Sequence, residues 1–197
     1  MDETDDLFRS PELMSADDTT LLVVDVQEKL IRLIPGWRRI VWNLGRLIEA
    51  ARILELPVLA SEQYPQGLGP TVAELAEHLD SRISKISFSC VACDDVRSEL
   101  ERIDRPKVLV AGIEAHVCVQ QTVLDLMSSG VQAYVAVDAV GARYDIDYQV
   151  ALRRMESSGA TLTTTEAAMF EWCQAAGSPQ FKELSALVKQ QPPKENT

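Results

Sequence analysis

Apolar residues along this chain follow two alternating rhythms: short β-branched runs, and longer segments with an apolar position every third or fourth residue. Thr20–Asp25 (TLLVVD) is a continuous apolar run closed by one acid, as expected of a strand covered on both faces. Further strands are predicted at Val58–Ser61, which Pro57 opens, and at Arg82–Lys85, Lys107–Ala111, Val131–Val137 and Ala160–Thr163. After Pro35 and Gly36, residues Ile40, Val41, Leu44, Leu47, Ile48, Ala51 and Leu54 fit a helical period of about 3.6 residues. Helices are also predicted over Thr71–His78, Asp94–Arg102, Val117–Ser129 and Asp147–Ser158, with Gly130 and Gly159 closing the last two. The stretch QYPQGLGP from Gln63 reads as a loop overhanging the sheet, and Gly112–His116 as a turn.

Strands alternating with helices predict an α/β fold: a six-stranded, doubly wound parallel sheet between two helical layers. No repeat or linker divides it. One domain is expected over residues 19–190, flanked by a flexible acidic leader (1–18) and a loose tail (191–197) with two adjacent prolines. A length of 197 residues and an apolar content of 46% suit such a domain.

The formal charge of −11 is unevenly placed. Residues 1–18 hold seven acids against Arg9 alone, a net −6, which leaves −5 for the other 179 residues. With no cluster of Lys and Arg, neither a nucleic acid nor an anionic membrane is expected as partner. No apolar run approaches the ~18–20 residues needed to span a bilayer. The first residues are acidic and no apolar segment follows them, so no secretory signal is expected, and a cytoplasmic protein with four reduced cysteines is the default.

In an open parallel sheet, ligands bind at the carboxyl ends of the strands, where strand order reverses. The residues just past those ends are therefore the ones to inspect. They include Asp25 after the first strand, Lys85 after the third, and Cys118 at the first turn of the helix after the fourth. Taken singly, each has a plain structural explanation: a turn cap, a surface lysine, a small core residue. Together, an acid, an amine and a thiol can converge on one crevice. A thiol reacts as thiolate, and a helix N-terminus and a nearby ammonium both favour that form. An adjacent carboxylate can act as general base on the thiol, and later on water.

Three segments carry a resemblance: LLVVDVQ, SKISFSC and Val110 to Val119 (VAGIEAHVCV). They resemble the isochorismatase-like cysteine hydrolases, a family that includes nicotinamidases and N-carbamoyl amidases, across about Thr19 to Phe170. The resemblance implies a Rossmann-type topology and a catalytic triad of Asp25, Lys85 and Cys118. It also implies a cis peptide at Ile113–Glu114, with the backbone N–H groups of Glu114 and Cys118 as oxyanion donors. Substrate contacts are expected from Gln27, Gln63, Tyr64, Leu68 and Phe88, with His116 in the pocket wall. No cofactor is implied; the partners implied are a small-molecule substrate and further copies of the chain in a homo-oligomer.

Two departures narrow the expectation. Nicotinamidases of this family carry an Asp-x-His…His metal site after the second strand, whereas this chain has Ser61-Glu-Gln-Tyr-Pro-Gln-Gly-Leu-Gly and only two histidines, His78 and His116. No metal is therefore expected. Cys118 argues against vinyl-ether cleavage, because the subgroup that performs it lacks the nucleophilic cysteine. The reading is a metal-independent hydrolase acting on a small amide or carbamoyl C–N bond. A binding module that keeps the triad without turnover, and a vinyl-ether hydrolase, are the alternatives. Cys90 and Cys93 form a C-x-x-C, but not at the position a thioredoxin-like redox pair requires. Trp37, Trp42 and Trp172 are expected in packing or at an interface, and Asp138 and Arg143 are expected to form an ion pair.

Overall fold

The computed structural model describes residues 9–193. Six strands form one sheet: β1 (Thr19–Val24), β2 (Val58–Gln63), β3 (Ile83–Lys85), β4 (Lys107–Ile113), β5 (Gln132–Gly141) and β6 (Thr161–Thr163). All neighbours pair in parallel, in the order β3-β2-β1-β4-β5-β6. The chain winds outward from β1 to β3, then restarts on the other side with β4. The order therefore reverses between β1 and β4, the place where such sheets bind ligands.

The helices are α1 (Glu28–Ile31), α2 (Trp37–Ile53), α3 (Pro65–Leu68), α4 (Ala73–Ala76), α5 (Asp94–Ile103), α6 (Gln120–Ser128), α7 (Asp145–Ser157), α8 (Thr165–Cys173) and α9 (Phe181–Val188). A π-helical turn, Ala115–Val119, leads from β4 into α6. Alternate strand residues feed two cores, because successive side chains point to opposite faces. Leu21, Val23, Leu109 and Ala111 pack with α2, α8 and α9, while Leu22, Val24, Val108 and Val110 pack with α5, α6 and α7. The three-layer architecture is thus the predicted one. No helix among the described residues is long and apolar enough to cross a membrane.

Boundaries moved where a glycine or a bulge changed the ladder. β4 runs two residues past Ala111, through Gly112, whose φ of 127° is open only to glycine. A Cβ there would stand 2.1 Å from the Val24 carbonyl oxygen, so the bare backbone lets β4 press against the end of β1. The register with β5 shifts between Val110 and Gly112, and β5 continues to Gly141 instead of stopping at Val137. That extension corrects the Asp138–Arg143 pair. Asp138 accepts from the N–H and hydroxyl of Thr165 at the start of α8, and Arg143 donates to Glu114. The helix expected over Thr71–His78 is one turn, α4, and α8 and α9 had not been assigned as elements at all.

The leader also needs correction. Its first eight residues lie outside the described chain, but residues 9–18 are docked on the domain. Met14 is fully buried, and its N–H donates to the Glu171 carboxylate. Tyr134 donates to the Glu12 carbonyl, Arg105 to the Ala16 carbonyl, and Lys107 to both Leu13 O and Asp18 Oδ2. The tail was assigned from residue 191; residues 191–193 carry no regular structure, and 194–197 lie outside the described residues. Trp172 is core, whereas Trp37 and Trp42 lie beneath the guanidinium groups of Arg38 and Arg46.

Docking of the leader has a measurable consequence. Met14→Ala is expected to lower unfolding free energy in urea by about 2–5 kcal/mol, the usual cost of emptying a buried methionine site. A change below about 0.5 kcal/mol would return the segment to the status of a loose leader.

Candidate active site

Asp25 follows β1 directly and takes a left-handed conformation, φ 53°, uncommon outside glycine but tolerated best by Asp and Asn. Its N–H donates to the Ser61 carbonyl at 3.1 Å, which prolongs the β1–β2 ladder by one residue before the chain turns. The side chain is fully buried at the junction where strand order reverses. Lys85, the last residue of β3, reaches it: Nζ to Asp25 Oδ2 is 2.7 Å, and neither side chain is exposed to solvent. The ammonium also donates to Gln63 Oε1 at 2.7 Å and to the carbonyls of Phe88 (3.0 Å) and Ser87 (3.2 Å). The other carboxylate oxygen, Oδ1, accepts from the Ser61 hydroxyl at 2.8 Å.

Cys118 lies in the π-helical turn, 5% exposed, near enough to Asp25 and Lys85 for both charges to act on its thiol. The three side chains expected to converge are therefore in one place. The turn before the cysteine contains a cis peptide bond, Ile113–Glu114. The Glu114 carbonyl accepts from the N–H groups of Val117 and Val119, which sets the wide π geometry. Its carboxylate is tied to Arg143 Nε at 2.6 Å.

An isochorismatase domain model matches residues 19–167. The chain belongs to the isochorismatase family. Rat isochorismatase domain-containing protein 2 is 42% identical over 178 residues, covering 90% of this chain and 84% of that protein. The human protein of the same name is also 42% identical over 178 residues, with coverage of 89% and 85%. Among solved structures, MAR1 ribonuclease from Caenorhabditis elegans is 38% identical, with a TM-score of 0.87 over 92% of this chain and 95% of that one. The Escherichia coli YcaC gene product, an octameric hydrolase of unknown specificity, shares the fold at 24% identity and a TM-score of 0.83, over 92% and 91% of the two chains.

Within this isochorismatase-family site, the residues expected to contact substrate divide into two groups. Gln27 and Gln63 are buried and already engaged. The Gln27 amide donates to the carbonyls of Gln63 and Gly69 and accepts from Gln63 N–H. Gln63 accepts from Lys85 and donates to Ile86 O. Both glutamines brace the Lys85 shelf: Gln63 accepts from its ammonium, and Gln27 holds the Gln63 backbone. Gln63 ends β2 instead of opening the loop. Tyr64 and Phe88 are half exposed, and Leu68, in the single turn α3, is partly buried. Ile86, Tyr144 and Ile146 are also exposed, so the carboxyl edge of the sheet carries an apolar rim. His116 Nε2 lies 3.8 Å from Asp147 Oδ2, while its buried Nδ1 has no partner among the described residues.

A metal would need carboxylate and imidazole donors after β2. Gln63 occupies that segment with its only acceptor oxygen bound to Lys85, and no group of three His, Cys, Asp or Glu among the described residues is placed to hold an ion. The donor set does not fit. His78 lines a separate cavity of about 620 Å³ with Trp37, Trp42 and Arg46, a cavity that no triad residue lines.

Sequence reasoning missed Ser61 and Cys90. Ser61 Oγ lies 3.4 Å from the buried Cys90 thiol as well as 2.8 Å from Asp25. The only signal was position: Ser61 pairs with Val24, one residue before Asp25.

The electrostatics reverse one expectation. Burial, followed by the negative charge of Asp25, pushes the Cys118 thiol well above the ordinary range, and the Lys85 ammonium only partly offsets them. The Cys90 thiol is raised by the same causes, burial first. Cys118 therefore rests as a thiol, not as the thiolate that a helix N-terminus and a lysine were expected to produce. In the unfolded chain both thiols ionise near pH ~8.5. The folded protein keeps its protons above that pH, so stability is full below it and falls as pH rises, by about tenfold in the folding equilibrium per unit per thiol. Urea unfolding between about pH 8 and pH 10 should show this loss, and Cys118→Ser should remove about half of its slope. An unchanged slope in that variant would contradict the raised thiol.

Proposed function

We propose that this protein is a metal-independent cysteine hydrolase that cleaves the C–N bond of a small amide or carbamoyl compound through a thioester. The observation that carries the reading is the fully buried Asp25–Lys85 pair at 2.7 Å, whose charges both act on the buried Cys118 thiol. A fully buried ion pair is a poor way to gain stability, since desolvation of both charges offsets their attraction. At a strand-order reversal, next to a thiol, it suits catalysis instead.

The residues divide the work as follows. Asp25 takes the thiol proton as Cys118 Sγ attacks the carbonyl carbon. The backbone N–H groups of Glu114 and Cys118 receive the developing oxyanion. The tetrahedral intermediate collapses, the C–N bond breaks, and Asp25 returns its proton to the leaving nitrogen. A water then gives a proton to Asp25 and attacks the thioester, releasing the acid and restoring the thiol. Lys85, held by Gln63 and two carbonyls, keeps Asp25 oriented and balances its charge through both steps. An uncharged substrate suits the apolar rim of Tyr64, Phe88 and Tyr144.

The name of the C. elegans relative raises RNA as a second substrate class. Charge favours the small molecule. The chain carries −11, its site lysine is fully buried and paired, and Arg143 at the adjoining turn is bound to Glu114. RNA binding depends on available cations along the phosphate path.

A screen of primary amides and carbamoyl compounds, scored by ammonia release, tests the proposal. At least one compound should be turned over, and Cys118→Ala and Asp25→Asn should each lower kcat by at least about 1,000-fold while the protein stays folded. An active Cys118→Ala enzyme sinks the mechanism. Cleavage of RNA but of no amide would favour the second reading.

A further inference from the structure

One buried group near the triad has no part in the mechanism above. Cys90 is fully buried, with its thiol against Ser61 and no disulfide to Cys93, its C-x-x-C partner. Cys93 is half-buried, and its sulfur makes only a 4.0 Å contact with Ser84 O. The Cys90 backbone N–H donates to Thr122 Oγ1 at 2.9 Å, and Thr122 is itself fully buried in α6. Ser61 Oγ lies 3.4 Å from Cys90 Sγ and 2.8 Å from Asp25 Oδ1, and is 1% exposed.

Proton counting gives this arrangement a direction. A serine hydroxyl has one proton and two lone pairs. A carboxylate accepts only, so the Ser61 proton points to Asp25 Oδ1, and the serine oxygen is left as an acceptor for the Cys90 S–H. Burial and the Asp25 charge keep Cys90 protonated, so it can serve as that donor without adding a second negative charge. Lys85 holds Oδ2 and Ser61 holds Oδ1, which together fix the plane of the carboxylate.

We propose that Ser61 and Cys90 are positioning residues for the general base: a Cys90 S–H to Ser61 O–H to Asp25 chain, anchored on α6 by Thr122, that holds the carboxylate in plane. The inference rests on Asp25 being the base of Cys118. It assigns half of the C-x-x-C motif to the hydrolytic site, with no redox role. Losing the Ser61 donor frees Oδ1, so the carboxylate is less well oriented to accept the Cys118 proton.

The test uses the full chain and the rate of iodoacetamide alkylation of Cys118 at neutral pH. Mass spectrometry of the tryptic peptide 108–143 reads Cys118, and Cys93 in peptide 86–97 serves as internal control. Ser61→Ala should slow alkylation of Cys118 about tenfold relative to Cys93, and Ser61→Thr, which keeps the hydroxyl, should restore the parent rate. Cys90→Ala should slow it less, and Cys90→Ser should restore it. Were Ser61→Ala not to fold, the Cys90→Ala and Cys90→Ser pair decides the matter alone. A parent-like rate in Ser61→Ala, or in Cys90→Ala where that pair decides, overturns the chain of donors. Asp25→Asn separates the two levels. If it slows alkylation while Ser61→Ala does not, only the positioning proposal fails. If Asp25→Asn does not slow alkylation, the triad reading itself fails.

Discussion

The buried carboxylate of Asp25 is the constraint around which the rest of the molecule is arranged. An ion in a low-dielectric interior needs hydrogen bonds at both oxygens and a counter-charge at contact distance. Each need is met from a different strand. The counter-charge comes from β3 as Lys85, the hydroxyl from β2 as Ser61, and the acid itself from the end of β1. The lysine in turn needs acceptors, which explains why Gln63, at the end of β2, and the carbonyls of Ser87 and Phe88 are turned inward. Gln27 then holds Gln63 by its backbone at both N–H and C=O. Three stretches distant in sequence, 25–27, 61–63 and 85–88, are coupled through one charge.

The backbone supplies the other half. Thiol and carboxylate can meet only if β4 ends close against β1. Gly112 permits that approach, since any side chain there would strike the Val24 carbonyl. Asp25 turns out of its strand in a left-handed conformation, and Cys118 sits buried in the π-helical turn that follows β4. These are departures from regular geometry on adjoining strand ends, and they sit where function is expected to concentrate them. Elsewhere the sheet is ordinary: alternate residues of β1 and β4 fill two apolar cores.

This division explains what the sequence made legible. Strands with near-continuous apolar runs, such as Thr19–Val24 and Lys107–Ile113, announce themselves because burial on both faces leaves no polar positions. Asp25, Lys85 and Cys118 could be singled out because each lies at or near the carboxyl end of a strand, and only the resemblance of their motifs grouped them. The end of β5 was not. Its last residues, DAVG, pair with β4 only after a register shift, and Asp138 looks like a turn acid until its partner Thr165 is known. The second half of the leader misled for a related reason. Its acidity suggested solvent, yet what docks it is one buried methionine and carbonyls that accept from Tyr134, Arg105 and Lys107, and composition carries no trace of these. Ser61 and Cys90 are the hardest case. A serine closing a strand and a cysteine in a small-residue segment are unremarkable singly, and only the parallel pairing of β1 with β2 brings them beneath the acid.

A resting thiol changes how the site's selectivity should be understood. A preformed thiolate would attack any electrophile that reached it, governed by exposure alone. Cys118 is instead held neutral by burial and by the Asp25 charge, and the opposing Lys85 charge is already committed to Asp25. In the proposed mechanism nucleophilicity is therefore generated during the attack, as the proton moves to Asp25 and negative charge passes to the carbonyl oxygen. On that mechanism the transfer needs the oxygen to lie against the backbone donors of the Glu114–Cys118 turn. Substrate geometry, more than thiol reactivity, would then be the gate, and the cost of burying Asp25 and Lys85 would keep the cysteine quiet until that geometry is reached.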